Sequence, residues 1–263
     1  MNEILNGDKN QVMRRTEMLR LLEMKNTIRA SEMSDIMNVS VVTIRKDLDE
    51  LEREGFLTRI HGGAVIKSST LQFGADMDSR MIQKSEEKHR IAKYIGSLIK
   101  DGDSVLISAG STCANVCEEL KGKNDLIIIT NSYHIFSEFV SSPNITVFYL
   151  GGRFDCDMQI TVGQDVIEQL TKYTANILVT GADGVDTHAG ITSYNHIEDS
   201  IIRQMIAQSK QKILAVDDSK IGKVAFAHIA DIEEFDLIVT SENKDNKDEI
   251  DAIERMGTKV AVV

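Results

Sequence analysis

The sequence predicts a two-domain α/β protein, with a small N-terminal unit of three helices and a β-hairpin before a larger domain on a mostly parallel sheet. Three observations support this. Apolar residues first recur at helical spacing and then form two short runs around a Gly-Gly pair. From about residue 85, helical stretches alternate with short β-branched runs, which is typical of strands joined by helices. The polar segment 68–84 has no clear period, so the predicted domains are 1–67 and 85–263, joined by this linker.

The N-terminal unit divides into four predicted elements. A first helix is expected between Val12 and Met24, and a second short helix is expected to begin at a Ser31 cap. Ser40 is expected to cap a third helix, in which Gly55 takes the position of a terminating glycine. The apolar stripe of this third helix is Val41, Ile44, Leu48 and Leu51. Residues 56–60 and 64–67 are expected to pair as a hairpin.

Seven β-branched runs mark the strands of the larger domain. Because helical stretches separate them, they are expected to lie parallel, with helices on the faces of the sheet. The predicted strands are Val105–Ile107, Leu126–Thr130, Ile145–Leu150, Ile177–Thr180, Ile213–Val216, Leu237–Thr240 and Lys259–Val262.

The charge distribution excludes a protein that coats nucleic acid over its whole surface. Residues 1–67 hold 11 Lys and Arg against 11 Asp and Glu, and the remaining residues hold 19 against 30, so the larger domain carries the whole net charge of −11. A neutral head can still approach phosphate through a few local basic side chains. There is no apolar signal core and no run of about 18 apolar residues, so we expect a cytoplasmic protein without a membrane partner.

The cysteines indicate a reducing compartment. Cys113, Cys117 and Cys156 form no regular disulfide framework. Cys113 and Cys117 lie four residues apart, a spacing that a metal can also use, but no His or further Cys accompanies them. We therefore expect structural thiols, no metal site and no cofactor.

The third helix has the properties of a DNA-reading helix. Its apolar stripe faces inward, whereas its early outer face carries Ser40, Val42, Thr43, Arg45 and Lys46. Such a helix presents its first residues to base edges and phosphates in the major groove. Arg45 suits a bidentate contact with guanine, and Lys46 suits a phosphate. The later part of the helix is acidic, with Asp47 among its outer residues, so DNA contact is expected only over the first two turns.

The hairpin adds two further DNA-binding candidates. Arg59 and His61 lie beside Gly62 and Gly63, which permit positive φ and close backbone approach. Three helices followed by this hairpin predict a winged helix-turn-helix. A solvated charged face on an ordinary three-helix unit is the alternative interpretation of each residue taken singly.

Two stretches of this unit resemble the signature of the DeoR family of bacterial regulators: residues 39–48 (VSVVTIRKDL) and 55–64 (GFLTRIHGGA). The resemblance extends over about residues 12–242 and implies a repressor or, less often, an activator of a sugar-catabolic operon. The residues on the family's motif positions are Thr43, Arg45, Lys46, Arg59 and His61. Lys46 stands where the family often has a second arginine, which keeps the charge but loses the bidentate fork.

Polar and small residues follow the predicted strands of the larger domain, where ligands bind in open α/β sheets. Residues 108–112 (SAGST) lead into a helix N-terminus that suits an anion, although an ordinary turn also explains them. Lys220 either neutralises Asp217 and Asp218 or reaches a ligand phosphate. Glu198 matches a family position that faces the cleft; a helix-start carboxylate is the alternative. The candidate effector-binding residues are Ser108, Gly110, Ser111, Thr112, Thr130, Asn131, Gly152, Asp183, Gly184, Glu198 and Lys220.

The resemblance also implies that the larger domain is similar to a superfamily that includes ribose-5-phosphate isomerase and glucosamine-6-phosphate deaminase. Asp183, Glu198 and Lys220 could serve as isomerase groups. An isomerase does not need a DNA-binding head, however, and a shared fold does not transfer activity. One departure from the family is Ser108, because an acidic residue is usual there. Its loss removes a charge near the phosphate and an acceptor for a sugar hydroxyl.

We therefore expect a regulator that is not an enzyme, most simply a repressor released from double-stranded operator DNA by a phosphorylated sugar. Paired heads on repeated or palindromic half-sites imply a homodimer or a homotetramer. Two alternatives stay open: an isomerase-like enzyme, and a regulator whose larger domain only assembles subunits.

Overall fold

The computed structural model of the chain describes residues 11, 14–15, 17–19, 21–22, 25, 27–53, 57–60, 62–66, 81, 84–156, 158–194 and 197–263. The chain divides into two compact units, Met1–Ala75 and Asp76–Val263. Most of the predicted linker lies outside the described residues, so the exact domain boundaries stay a prediction.

The first unit is a winged helix-turn-helix. Its described residues between 11 and 25 are helical. The elements that follow are β1 (Thr27–Arg29), α1 (Ala30–Met37), α2 (Val41–Arg53), β2 (Leu57–Ile60) and β3 (Gly63–Ile66). The strands form an antiparallel sheet in the order β1-β3-β2, in which β2 and β3 are the predicted hairpin. Strand β1 was not predicted, because three residues are too few to show an alternating pattern.

The predicted apolar stripe of α2 forms the centre of this unit. Ile44, Leu48 and Leu51 are fully buried, as are Met18 and Leu22 of the first helical segment. Their burial removes apolar surface from water and fixes which face of α2 remains outside.

The start of α1 differs from the prediction. Ser31 was expected to cap this helix, but α1 begins at Ala30 and Arg29 occupies the N-cap position without a side-chain capping bond. Strand β1 leads directly into the helix, which leaves no extended residue at Ser31. Asn38 ends α1 in the left-handed conformation (φ 52°), which Asn adopts more readily than most residues.

The second unit contains twelve strands and six α-helices among its described residues. The strands are β4 (Ser104–Ile107), β5 (Leu126–Thr130), β6 (Ile145–Tyr149), β7 (Arg153–Asp155), β8 (Ile160–Val162), β9 (Ala175–Thr180), β10 (Gly184–Asp186), β11 (Gly190–Ser193), β12 (Ser209–Ala215), β13 (Ala227–Ala230), β14 (Leu237–Thr240) and β15 (Lys259–Val262). The helices are α3 (Ser85–Leu98), α4 (Ser111–Leu120), α5 (Tyr133–Glu138), α6 (Gln164–Leu170), α7 (Asp199–Ala207) and α8 (Lys247–Arg255). Short 3₁₀ turns lie at Asp218–Lys220, Ile232–Glu234 and Lys244–Asn246.

Seven strands form one parallel sheet in the order β15-β14-β12-β9-β4-β5-β6. They are the seven strands that the sequence predicted, so the α/β fold class is confirmed. The strand order reverses between β4 and β9: β5 and β6 follow on one side, and β12, β14 and β15 on the other. The carboxyl ends of β4 and β9 therefore mark the position at which ligands bind in sheets of this kind.

Alternate residues of the strands face two different helical layers. Val105 and Ile107 of β4 belong to the core that includes α3 and α4, whereas Leu106 belongs to the core that includes α6 and α7. Because both faces of the sheet are covered, its strands are nearly continuous apolar runs.

Two small antiparallel sheets were not predicted. One pairs β7 with β8, and the other has the order β10-β11-β13. Their strands are three or four residues long and carry turn residues between them, so no apolar period marks them in the sequence.

Candidate DNA-reading surface and effector cleft

The first turns of α2 present the predicted DNA-reading side chains to solvent. Val42 is 76% exposed, and Arg45 and Lys46 are exposed beside it. The Ser40 hydroxyl accepts a hydrogen bond from the Thr43 backbone N–H at 3.1 Å and lies 2.8 Å from the Thr43 hydroxyl. Ser40 therefore caps the helix as predicted, and the cap fixes the orientation of the residues that follow.

The acidic half of α2 is partly internal. Asp47 is only 1% exposed and accepts hydrogen bonds from Arg14 Nε at 2.6 Å and Arg15 Nε at 3.2 Å. The prediction that Asp47 belongs to an acidic outer face is wrong, because its carboxylate turns inward and joins α2 to the first helical segment. Burial of a carboxylate is tolerable when opposite charges hydrogen-bond to it, and two guanidinium groups do so here.

Arg59 of the hairpin binds α2. Its side chain donates to the Gly63 carbonyl and the Arg45 carbonyl, each at 3.2 Å, and forms an ion pair with Asp49. Its backbone N–H donates to the Glu52 carboxylate at 2.6 Å. In this geometry Arg59 positions the wing against the recognition helix, and the predicted phosphate or minor-groove contact stays a prediction. Asp49 and Glu52, two acidic residues that would repel DNA, thus hold the wing against α2.

The positions of Gly62 and Gly63 in the wing favour glycine for different structural reasons. Gly62 has a φ of +80°, which favours glycine, and lies in open space. Gly63 has no such φ, but a methyl group on it would lie 2.9 Å from Arg29 Cα, because β3 passes close to β1. His61, the remaining DNA-binding candidate, lies outside the described residues.

In the second unit, the loop after β4 opens at the point where the strand order reverses. Ser108 is buried, and its hydroxyl lies 2.8 Å from the Thr180 hydroxyl at the end of β9. The position where the family usually has an acid is therefore neutral and already hydrogen-bonded. Gly110 occupies the N-cap position of α4 with a φ of +145° that favours glycine.

Ser111 and Thr112 form the first turn of α4. Both residues are largely buried, and no hydrogen bond joins their hydroxyls to another described residue. The first N–H groups of a helix also lack partners within the helix and carry its positive dipole end. This end of α4 therefore offers several donors for an anion.

Asp183 and Lys220 meet across the carboxyl edge of the sheet. Lys220 Nζ lies 3.8 Å from Asp183 Oδ1, although the two residues follow different strands, β9 and β12. Asp183 Oδ2 also accepts from the Ser193 hydroxyl at 3.3 Å and from the Tyr194 N–H at 3.1 Å. The structure thus brings together two predicted effector-binding residues with opposite charges.

The two acidic neighbours of Lys220, Asp217 and Asp218, have other hydrogen-bond or ion-pair partners. Asp217 accepts hydrogen bonds from the Ser219 N–H, at 3.0 Å, and from the Ser219 hydroxyl. Asp218 pairs with Lys84. Among the described residues, Lys220 forms its ion pair with Asp183 and not with Asp217 or Asp218.

Glu198 lies close to the same loop. It is buried at the N-cap position of α7. Burial raises the pKa of the Cys113 thiol to about 12, and the Glu198 carboxylate contributes to this shift. A methyl group on Gly110 or on Gly181 would lie 3.9 Å from Cys113 Sγ, so this thiol lies beneath both loops. We include Glu198 with the residues of these loops as a predicted effector-binding residue. We call the group of Gly110, Ser111, Thr112, Asp183, Glu198 and Lys220 the effector cleft.

The side chains of Thr130 and Asn131, two predicted effector residues, have roles in the fold. The Thr130 hydroxyl accepts from the Ser132 N–H at 3.1 Å. Asn131 is fully buried, and its Nδ2 donates to the Thr161 carbonyl at 3.0 Å, which joins the end of β5 to β8.

Two glycines of the predicted set serve close packing. A methyl group on Gly152 would lie 2.8 Å from Val166 Cγ2 and 2.9 Å from the Val162 carbonyl oxygen. A methyl group on Gly184 would lie 2.9 Å from the Ala225 nitrogen. Packing accounts for both positions without a ligand, and neither enters the effector cleft as we define it.

Sequence reasoning missed the partner of Asp218. Lys84, placed at the end of the predicted linker, forms an ion pair with this carboxylate at the carboxyl edge of the sheet. A separation of 134 residues leaves no local signal for such a contact.

Within the described residues, no group of His, Cys, Asp or Glu is arranged to hold a metal ion. None of the helices in this part of the chain has the length and apolar character needed to cross a bilayer.

Comparison with known proteins gives a match for each unit. Residues 14–70 match the DeoR-like helix-turn-helix domain, and residues 83–242 match the DeoR C terminal sensor domain. The chain is 32% identical over 237 residues to the HTH-type transcriptional regulator GolR of Listeria innocua, which covers 89% of this chain and 91% of that protein. It is 31% identical over 243 residues to a lactose phosphotransferase system repressor of Staphylococcus epidermidis, with coverage of 91% and 96%.

Among solved structures, a D-ribose-5-phosphate isomerase in complex with phospho-erythronic acid aligns at 19% identity and a TM-score of 0.39. The alignment covers 52% of this chain and 53% of the isomerase.

Proposed function

The chain belongs to the DeoR family of transcriptional regulators, and we propose that it represses a sugar-metabolism operon until a phosphorylated sugar releases it from double-stranded operator DNA. It is a DNA-binding regulator and not an enzyme. The name of the staphylococcal relative, a lactose phosphotransferase system repressor, supports a sugar-related operon and the repressing sign.

The observation that carries the effector proposal is the Lys220–Asp183 ion pair at the carboxyl edge of the sheet, the edge at which α4 also begins. The N–H groups at this end of α4 and the hydroxyls of Ser111 and Thr112 suit a phosphate, to which Lys220 adds a positive charge. Asp183 and Glu198 supply carboxylate oxygens for sugar hydroxyls. A phosphate competes with Asp183 for Lys220, so an occupied cleft differs from an empty one in this pair.

On the DNA side, we propose that Val42, Thr43, Arg45 and Lys46 contact the major groove. Two winged heads of a homodimer, or of a homotetramer, would bind repeated half-sites. Because the three cysteines form no disulfide, we place this activity in the reducing cytoplasm. Sedimentation of the chain with and without operator DNA tests the assembly.

A thermal-shift screen of the full chain against galactose, glucose, fructose and ribose monophosphates tests the effector. A sugar phosphate present at about one hundred times its dissociation constant should stabilise the chain by about 2.7 kcal/mol. The unphosphorylated sugars and inorganic phosphate are the controls. If no phosphorylated sugar shifts the melting temperature, the larger domain is an assembly module and the effector proposal is wrong.

Lys220→Met then tests the cleft, because methionine keeps much of the aliphatic stem and removes the charge. This variant should fold and bind operator, but the active sugar phosphate should bind it at least about tenfold more weakly, as expected for a lost charge-assisted hydrogen bond. Lys210→Met is the matched control, since Lys210 is exposed near the other end of β12. Unchanged sugar-phosphate affinity in Lys220→Met would remove Lys220 from the site.

A further inference from the structure

Lys84 anchors the start of the second unit to the carboxyl edge of its own sheet. Its backbone lies in the left-handed region (φ 52°, ψ 39°) at the N-cap of α3, and its carbonyl accepts from the Lys88 N–H at 3.0 Å. From there its side chain forms an ion pair with Asp218. In chain order Lys84 lies between the DNA-reading head and the body of the sensor.

The carboxylate that receives Lys84 is held from several sides. Asp218 is largely buried, and it accepts from the Ser241 hydroxyl at 3.0 Å and from Asn243 Nδ2 at 2.8 Å. Its carbonyl accepts from Asn246 Nδ2 at 2.6 Å. Burial alone raises the pKa of Asp218, but the hydrogen bonds from Lys84, Asn243 and Ser241 together hold that pKa below its usual value. The pair is therefore fully ionised near neutral pH.

The same 3₁₀ turn carries a residue of the effector cleft. Asp218 begins the turn and Lys220 ends it, with the Lys220 N–H bonded to the Asp217 carbonyl at 3.1 Å. The residue that faces the effector cleft and the residue that binds Lys84 therefore lie two positions apart in one short turn.

We propose that the Lys84–Asp218 ion pair couples the effector cleft to the chain that leads to the DNA-reading head. The proposal rests on the function proposed above. When a sugar phosphate draws Lys220 away from Asp183, the turn shifts and the Asp218 carboxylate carries Lys84 and the start of α3 with it. Lys84 contacts neither DNA nor effector in this scheme; it is a positioning residue that transmits the difference between the two states.

The test is the ratio of operator affinities without and with the most stabilising sugar phosphate of the four, measured on the full chain. Coupling of the usual size gives a ratio of about 5 to 150 in the unaltered chain. In Lys84→Met the ratio should fall toward 1, while operator affinity alone and sugar-phosphate affinity alone stay within about twofold, as expected for a residue that touches neither partner. Met incurs the same left-handed backbone strain as Lys, so the variant tests the charge and hydrogen bond of Lys84 and not its backbone.

Lys121→Met is the matched control. Lys121 pairs with Glu118 and Glu138, each at 2.7 Å, and its side chain is as exposed as that of Lys84, at 36%. This variant should keep the ratio of operator affinities found in the unaltered chain. Lys84→Arg should keep most of that ratio as well, because arginine retains the positive charge.

Three results would overturn the proposal: a ratio in Lys84→Met equal to that of the unaltered chain, a similar loss in Lys121→Met, or loss of sugar-phosphate binding in Lys84→Met. If Lys84→Met does not fold, the same ratio is read on Lys84→Gln, which keeps a hydrogen-bond donor and removes the charge. An unaltered chain that binds no sugar phosphate is a different result, because it contradicts the proposed function and not the coupling.

Discussion

Arg45 and Lys46 are neighbours on the exposed face of α2, yet their side chains are suited to different parts of DNA. The planar guanidinium of Arg45 can bind a guanine edge in a bidentate manner, whereas the ammonium of Lys46 is a point charge for phosphate. Arg45→Ala should weaken operator binding by about 1–3 kcal/mol and relax base preference at one position. Lys46→Ala should weaken binding to all sequences and lower the salt slope by about one.

Fluorescence anisotropy on operator and scrambled DNA at several salt concentrations separates the two effects. Arg59 bonds to the carbonyl of Arg45 and not to its side chain, so Arg45→Ala leaves the wing in place. An equal loss on operator and scrambled DNA would mean that Arg45 contacts only the backbone of the duplex.

The cysteines make a second prediction at the residue scale. Burial raises the pKa of Cys113 to about 12 and raises that of Cys117 well above its usual value, whereas Cys156 is exposed. Because the thiolate is the reactive species, only Cys156 should react quickly in the native chain at neutral pH. Ellman's reagent should count one thiol in the native protein and three after unfolding in guanidinium chloride. Fast reaction of two native thiols would contradict the burial of Cys113 and Cys117.

The sequence predicted which residues lie at the ends of strands, but not which of them meet. Asp183 and Lys220 were both predicted, each from its own strand, and their ion pair depends on β9 and β12 being neighbours in the sheet. For Arg59 the charge suggested a DNA contact, which stays a prediction, whereas its partners on α2 become visible only once the hairpin is folded back. The local sequence pattern shows which residue types occur at which positions. Contacts between residues that are distant in the chain follow from tertiary packing.

At the scale of elements, the wing and the recognition helix behave as one unit because acidic residues of α2 hold Arg59. By electrostatics alone, removal of an acid from a helix in the major groove should raise affinity for DNA. Asp49 is an exception, because it pairs with Arg59 and so fixes the wing. Asp49→Ala should therefore lower operator affinity, by up to about 1 kcal/mol for an exposed pair.

Asp35→Ala is the control for this prediction. Asp35 is an exposed acid of α1, so its removal changes the charge of the head by the same amount. Its affinity for operator should stay the same or rise slightly, again measured by anisotropy. A rise in Asp49→Ala that matches the rise in Asp35→Ala would show that the ion pair does not position the wing.

Longer secondary-structure elements were easier to predict from the sequence than short ones. Each of the seven strands of the parallel sheet has at least four residues and contains at least three consecutive apolar ones, and all seven were identified. Strands such as β7 and β10 have three residues and pair within small sheets, so they leave no periodic signal. The start of α1 was predicted at the wrong residue for a related reason. Serine is a favourable N-cap residue, but the short strand β1 ends at Arg29, so the helix begins at Ala30, before Ser31.

At the scale of the whole molecule, the charge is divided between a neutral head and an acidic sensor. An acidic body is repelled by the phosphate backbone, so DNA affinity depends on a few groups of the head and responds to small changes in their placement. The sensor has only to alter that placement, and the coupling free energy required is about 1–3 kcal/mol.

Coupling between two binding sites is reciprocal, because each ligand changes the affinity of the other by the same factor. If a sugar phosphate lowers operator affinity by a given factor, operator DNA must lower sugar-phosphate affinity by the same factor. Calorimetric titration of the sugar phosphate into the free chain and into the operator complex should reproduce the ratio obtained from anisotropy, at matched salt and protein concentration. The Lys84→Met variant should lose both ratios together, since each depends on the same displacement of the Asp218 turn. Loss of only one ratio is thermodynamically excluded for a single coupled equilibrium, and would show instead that the sugar phosphate acts on a species that does not bind the operator, such as a different assembly of the chain.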